Sequence, residues 1–436
     1  MKLFLHNHYK SLDIHTKEVI RKSVLPVFLK FSGVITGLLL SIFISRTVGI
    51  TGVGIFNLST QIGLIFVTLA MLGADQVIIK KVAIAQSNLS FFKISSILKS
   101  SLFNNGFLAV ILSIIFVSFS SILSSRLFEN NKLYIPFVII GISFIPQVLS
   151  RVYSNVMIGI GQNSKGILSD QNLSGIFTLP ITVFYYYFIS NKLTVNNIII
   201  FYLIGRIVVF IVQFIFWRDI SKIYSQNTFT KRTFFVGSFS LFMISLLNPI
   251  MNNLEVFIFE FFGKYQEVGI FSILWRLSNL TILILLITNS ALAPKMASLF
   301  NSGDLAGLQK MIQKLTKILS IFSLLTIIFF WFFGKYILSI WGIETDSAFT
   351  ALIILSVGQS INLATGSNGL LLNMTGNEKI HFKILIVSFV FEIIIAYYLI
   401  GRYQIFGAAI ACSLVNIVFN LLKNFYCRKF LNIKIF

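Results

Sequence analysis

The chain has 436 residues, 56% of them hydrophobic and only 11% charged, with a mean hydropathy of +0.89 and a formal net charge of +21. A soluble globule needs about 25% charge to cover its surface, so this composition excludes one and marks an all-α integral membrane protein. The positive charge is not gathered in one patch, so it speaks for membrane topology and attraction to anionic lipid, and against nucleic acid.

A spanning helix needs about 20 apolar residues, and the chain offers twelve such segments. The first six cover 24–44, 53–72, 102–123, 133–150, 167–189 and 196–217; the second six cover 234–262, 268–292, 315–341, 348–374, 380–400 and 405–426. Lys2, Lys10, Lys17, Arg21 and Lys22 precede the first segment as in a signal peptide, but that segment is long enough to span and no small-residue cleavage site follows it. The expected division is a cytoplasmic N-terminus 1–23, a six-helix bundle 24–218, a cytoplasmic linker 219–233, a second bundle 234–426 and a tail 427–436. Of the 35 Lys and Arg, 25 lie on the side of the termini, 7 on the far side, and three (Lys30, Arg206, Arg276) inside helices. That bias puts both termini in the cytoplasm.

The halves repeat. Val53-Gly54-Ile55-Phe56, at the junction of the first two segments, returns at Val268-Gly269-Ile270-Phe271, a shift of 215 residues (268 minus 53). Lys80 and Lys295 keep the same shift, as do Gly161-Gln162-Asn163 and Gly376-Asn377-Glu378. Two units of six helices with the termini on one side are related by an axis along the membrane normal, and a cavity belongs between them. The basic stretches 80–100 and 295–314 correspond under the shift and are expected along the cytoplasmic surface.

Motifs of soluble chemistry are missing. The four His lie outside the expected membrane core, and Cys412 and Cys427, about 22 Å apart on one helix, cannot bridge. Far-side connections are short, the longest being 124–132, which speaks against an enzyme with an external active site. The informative residues are polar ones inside the spans, each costly in lipid. In segment 7, Ser245, Asn248, Asn252 and Glu255 fall on one helical face around Pro249, a face suited either to a cavity or to gluing helices together. Arg276 is at the same expected depth as Glu255, roughly 15 Å from the far surface. Two readings stand side by side: an ion pair between segments 7 and 8, or Arg276 for an anionic substrate with Glu255 for coupling to H+ or Na+. The repeat sets Gln61 opposite Arg276. Lys30 faces a cavity or snorkels to the cytoplasmic surface; Arg206 is deeper. Arg151, Asp170 and Gln171 flank the cytoplasmic mouth between segments 4 and 5. Gln359, Asn362, Gly366, Gly369 and Asn373 form a stripe in segment 10, and Glu260 and Glu392 are expected nearer the outer side, in contact with water. The deep charge is mostly positive, which suits a phosphate-bearing substrate.

SRTVGITGVGIFNL (45–58), LGADQVIIKKVA (72–83), LEVFIFEFFGKYQEVGIFSI (254–273), APKMASLFNSGDLAGLQKM (293–311) and LLLNMTGNEK (370–379) together resemble the oligosaccharide flippases of O-antigen type, the polysaccharide-transporter branch of the multidrug/oligosaccharidyl-lipid/polysaccharide superfamily. The resemblance implies two six-helix bundles in a V that open alternately to either side. It implies a monomeric carrier of the bacterial inner membrane, not an enzyme and without a cofactor, that moves an undecaprenyl-pyrophosphate-linked repeat unit for O-antigen, and so lipopolysaccharide, synthesis, beside other glycan-assembly membrane proteins. It further implies an acidic residue at Glu255 and a cationic cavity formed by Arg276, Arg206 and Lys30. A cation-coupled multidrug exporter of the same fold and a membrane glycan polymerase or ligase are the alternatives.

Overall fold

The computed structural model describes residues 14–169, 173–224, 239–285 and 302–431, with a few positions between 288 and 300. Every regular element among them is helical. The N-terminal half holds α1 (Ile14–Thr47), α2 (Ile50–Met71), α3 (Ala74–Ser87), α4 (Phe91–Ile122), α5 (Tyr134–Gly159), α6 (Ser174–Phe188) and α7 (Val195–Tyr224). The C-terminal half holds α8 (Phe239–Met251), α9 (Leu254–Phe261), α10 (Tyr265–Ser278), α11 (Leu305–Ile340), α12 (Asp346–Thr365), α13 (Asn368–Met374) and α14 (Glu378–Leu431).

Nine described helices are long and apolar enough to cross a membrane, and α8 with α9 makes a tenth that bends by 53°. As one rod the 54 residues of α14 would reach about 80 Å, far beyond a hydrocarbon core of about 30 Å. Its backbone leaves the helical region at Gln404, and the rings of Phe391 and Phe419 meet with centroids 6.0 Å apart, so α14 is a hairpin of two spans. With the shorter α6 the described chain makes the twelve expected spans.

The surface stretches differ from expectation in extent. α4 begins at Phe91 and α11 at Leu305, so each runs from the cytoplasmic surface into the bilayer without a break. Asp304 starts α11 by accepting a 2.8 Å hydrogen bond from the Gly307 amide. α3 buries Ala74, Ile78, Val82 and Ala85 along one face and leaves Lys80 and Lys81 exposed, as an amphipathic surface helix does. Large apolar side chains such as Phe28, Phe107, Tyr187, Ile321, Phe332 and Ile394 stand exposed on the spans and meet lipid tails. Helices approach closely through small residues: a Cβ on Gly175 would sit 2.8 Å from the Gly37 amide nitrogen.

The two halves join around the repeated tetrapeptide, which lies in the first turns of α2 and α10 and not in the preceding turn. A Cβ on Gly54 would come within 2.9 Å of the Gly269 nitrogen, and one on Gly269 within 2.1 Å of the Ile50 carbonyl oxygen. One turn on, Asn57 Nδ2 donates to Ser272 Oγ at 3.0 Å. Both pairs are 215 residues apart, so the pseudo-twofold axis passes between them. Two polar clasps flank this crossing at the far end. Ser45 Oγ donates to the Trp341 carbonyl at 2.6 Å, Trp341 Nε1 to Ser41 Oγ at 3.1 Å, and Arg46 to the carbonyls of Ser339 and Ile340 at the end of α11. Across the axis, Asn130 Nδ2 donates to Glu260 Oε1 at 2.8 Å and the Tyr265 hydroxyl to the Glu129 carbonyl at 2.9 Å. Ser45 and Glu260 are themselves repeat partners (260 minus 45 is 215).

Candidate functional site

Segment 7 breaks, though not at its proline. The helix continues through Pro249 (Asn252 N donates to the Asn248 carbonyl at 3.0 Å) and stops at Asn252 and Asn253. Asn253 N turns to the Ile250 carbonyl at 3.1 Å, and its side-chain Nδ2 satisfies the Pro249 carbonyl at 2.9 Å. The Asn253 side chain thus takes over the bond to the Pro249 carbonyl that its own amide gives up where the helix ends. Asn248 and Asn252 stay exposed. Glu255 restarts in the first turn of α9 and turns into the C-terminal half, with 1% of its surface exposed. The expected four-residue face is therefore split by the bend.

Among the described residues, Glu255 meets no cation there. Its carboxylate, that of Glu392 and the Cys412 thiol offer ligand atoms that all lie within 4.8 Å of one another. Glu392, expected near water at the outer side, is 4% exposed. The fold of α14 carries it inward beside α9. Glu255 Oε1 and Glu392 Oε2 each lack a hydrogen-bond partner. Two bare carboxylates this close repel strongly in a low-dielectric interior. The pair therefore calls for a shared proton or a hard monovalent cation, and its oxygen ligands suit either.

Arg276 belongs instead to the junction of the halves. Half-buried, it donates from Nη1 to the Gly37 carbonyl of α1 at 2.8 Å. It follows Ser272 by one turn, as Gln61 follows Asn57, so Arg276 and the half-buried Gln61 flank the pseudo-twofold axis one turn beyond the Asn57–Ser272 bond. The expected Glu255–Arg276 ion pair is absent. Both groups are level in sequence, but the bend at Asn252–Asn253 directs them to different neighbours.

The remaining candidates separate by location. Arg151 Nε pairs with Asp75 Oδ1 at 2.8 Å, and Asn155 Nδ2 reaches the same oxygen at 2.7 Å, which ties α5 to α3 within the N-terminal half. Lys30 is half-buried on α1. Arg206 is enclosed within the N-terminal half, 2% exposed. Asp170 and Gln171 lie outside the described residues. The segment 10 stripe is interrupted: α12 ends at Thr365, Gly366 takes φ +74°, and α13 starts at Asn368. Gln359 accepts from Asn362 at 3.3 Å, while Asn373 meets His381 Nδ1 at 2.9 Å. His381 is buried there.

Comparison with known proteins agrees with this architecture. The "Polysaccharide biosynthesis protein" family model matches residues 20–300, well over half of the chain. The MatE model matches residues 239–398. The capsular polysaccharide biosynthesis protein CapF of Staphylococcus aureus is 23% identical over 269 residues, 60% of this chain and 68% of its own. Among solved structures, an inward-facing multidrug resistance MATE family transporter of the MOP superfamily aligns with TM-score 0.68 at 15% identity, covering 93% of this chain and 98% of that one. A point mutant of the Vibrio cholerae MATE transporter VcmN aligns with TM-score 0.69 at 14% identity over 96% of this chain and 97% of its own. A MOP superfamily transporter from Pyrococcus furiosus, described by a reverse polarity of its binding pocket, aligns with TM-score 0.65 at 16% identity over 96% of each chain. These three likenesses establish the fold, and the matched family establishes membership: the chain is a multi-pass membrane protein and belongs to the polysaccharide biosynthesis protein family.

Proposed function

We propose that this protein flips a lipid-linked oligosaccharide, an undecaprenyl-pyrophosphate-linked repeat unit, from the cytoplasmic to the periplasmic leaflet for surface polysaccharide synthesis. The observation that carries the reading is Arg276, a guanidinium held at the junction of the two halves by a backbone carbonyl and not by an acid. Its remaining donors are available to a diphosphate, which guanidinium binds bidentately. Asn248 on α8 and Asn252 at the break that follows it, both exposed, and Gln61 supply neutral hydrogen-bonding groups of the kind a sugar needs. Glu255 with Glu392 carries a coupling proton or Na+, and alternating access breaks and remakes the periplasmic clasps. O-antigen and capsule are both products such a carrier serves; the CapF likeness favours capsule.

A cation-coupled multidrug exporter is the second reading, favoured by the MatE match and by the buried acid pair. A deletion strain separates them. The flippase reading expects loss of surface polysaccharide and accumulation of the lipid-linked unit in the cytoplasmic leaflet. Intact surface polysaccharide with new drug sensitivity would replace it with the exporter.

A further inference from the structure

Arg206 poses a charge problem that the carrier reading does not use. It lies on α7, and its Nε and Nη2 are buried and lack any hydrogen-bond partner. Its one described interaction is with the face of Tyr202, with Cζ 5.0 Å from the ring centroid. The polar groups around that ring are already committed. The Tyr202 hydroxyl donates to Gln147 Oε1 at 3.3 Å, Gln147 Nε2 donates to Ser143 Oγ at 2.8 Å, and Ser143 donates to the Ile140 carbonyl. Acids are no closer to hand. Among the described residues of this half, Asp75 is taken by Arg151 and Asn155, Glu129 belongs to the far-side clasp, and Asp219 is exposed 13 residues further along α7, about 20 Å away at 1.5 Å per residue.

A guanidinium cannot shed its charge by deprotonation. Burying one unpaired is costly even after relaxation, and a cation–π contact returns only part of that cost. Something anionic has to supply the difference. The free atoms also define its shape: Nε and Nη2 form one edge of the guanidinium, whose parallel N–H bonds match two oxygens of an oxyanion. With 2% of the residue exposed, its partner must be small enough to be enclosed with it, unlike a headgroup that carries a polyprenyl chain and a glycan. The position is also particular to this half, because its repeat partner is Leu421 (421 minus 206 is 215), which is 52% exposed on a lipid-facing surface.

We propose that Arg206, backed by the Tyr202 ring, binds a small inorganic oxyanion of phosphate size inside the N-terminal half, at a site separate from the junction where Arg276 stands. This inference is independent of the flippase reading and would stand equally in an exporter.

The test uses the full-length protein in lipid nanodiscs, dialysed free of phosphate. Inorganic phosphate, titrated at constant ionic strength, is expected to raise the thermal unfolding midpoint saturably, since a ligand bound only to the folded state stabilises it by mass action. Radiolabelled phosphate should be retained at close to one per chain. R206Q should lose both effects. R206K, which keeps the charge but not the paired edge, should need at least tenfold more phosphate for the same shift. No midpoint shift and no retention in the wild type would overturn the site, as would an equal shift in R206Q. If R206Q does not fold, the wild-type retention and the R206K titration decide alone. Retention of undecaprenyl diphosphate without retention of inorganic phosphate would also overturn the proposal and assign Arg206 to the transported substrate.

Discussion

Arg276 and Glu255 illustrate how a charge acquires its role from what the backbone does around it. R276A should lower transport of the lipid-linked unit more than tenfold while the protein still inserts, because a bidentate phosphate contact is worth more than a point charge; R276K should recover part of it. Unchanged transport in R276A, measured beside membrane levels of the protein, would remove the residue from the site. E255Q carries a different expectation. It replaces one of two crowded carboxylates by a neutral amide of the same shape, so folding stability should hold or rise, while stimulation by an imposed proton or Na+ gradient should vanish. Transport in E255Q that still follows the gradient would clear the pair of coupling. The cost of a polar group in lipid made Arg276, Asn248, Asn252 and Glu255 legible as candidates in the chain itself. Their partners were not. Glu392 and Cys412 lie 137 and 157 positions from Glu255, and no local spacing announces that a hairpin at Gln404 will bring them to α9.

Helices and their crossings were easier to read, because each span is recorded in about 20 consecutive apolar residues. Ends and breaks were harder. The first turns of α4 and α11, from Phe91 and Leu305, hold no proline or tight turn ahead of the apolar run, so surface helix and membrane helix are continuous. The bend after Pro249 is closed by a local bond, from the Asn253 side chain to the Pro249 carbonyl, and α12 ends where Gly366 takes φ +74°; neither stands out among the other asparagines and glycines of the chain. The repeated tetrapeptide was visible as a repeat, but only the fold gives it a purpose, that of letting two backbones touch on the axis. G269V should therefore be among the most damaging changes in α10. Its Cβ meets a backbone carbonyl, which cannot step aside, and overpacking of this kind costs about 1–3 kcal/mol. G37A is the control, since its Cβ meets nothing within 4 Å. Thermal unfolding of the two variants in nanodiscs compares them, and equal midpoints would contradict the crossing.

The molecule as a whole has two halves tied at the periplasmic end by the central crossing and by clasps that the repeat relates to each other. A carrier must release those ties to present its cargo outside. R46A removes the hydrogen bonds from α1 to the last carbonyls of α11 and should shift the population toward periplasmic opening. Spin labels at Lys132 and Gln266, in opposite halves on that side, should report a longer distance in R46A than in wild type; an unchanged distribution would show that the clasp does not hold the gate. The central claim, that the cargo is a lipid-linked glycan, is tested most directly in proteoliposomes loaded with the undecaprenyl-pyrophosphate repeat unit. A glycan-cleaving enzyme added outside should reach the inner-leaflet pool when wild-type protein is present. Protection of that pool at the level of protein-free vesicles would contradict the account.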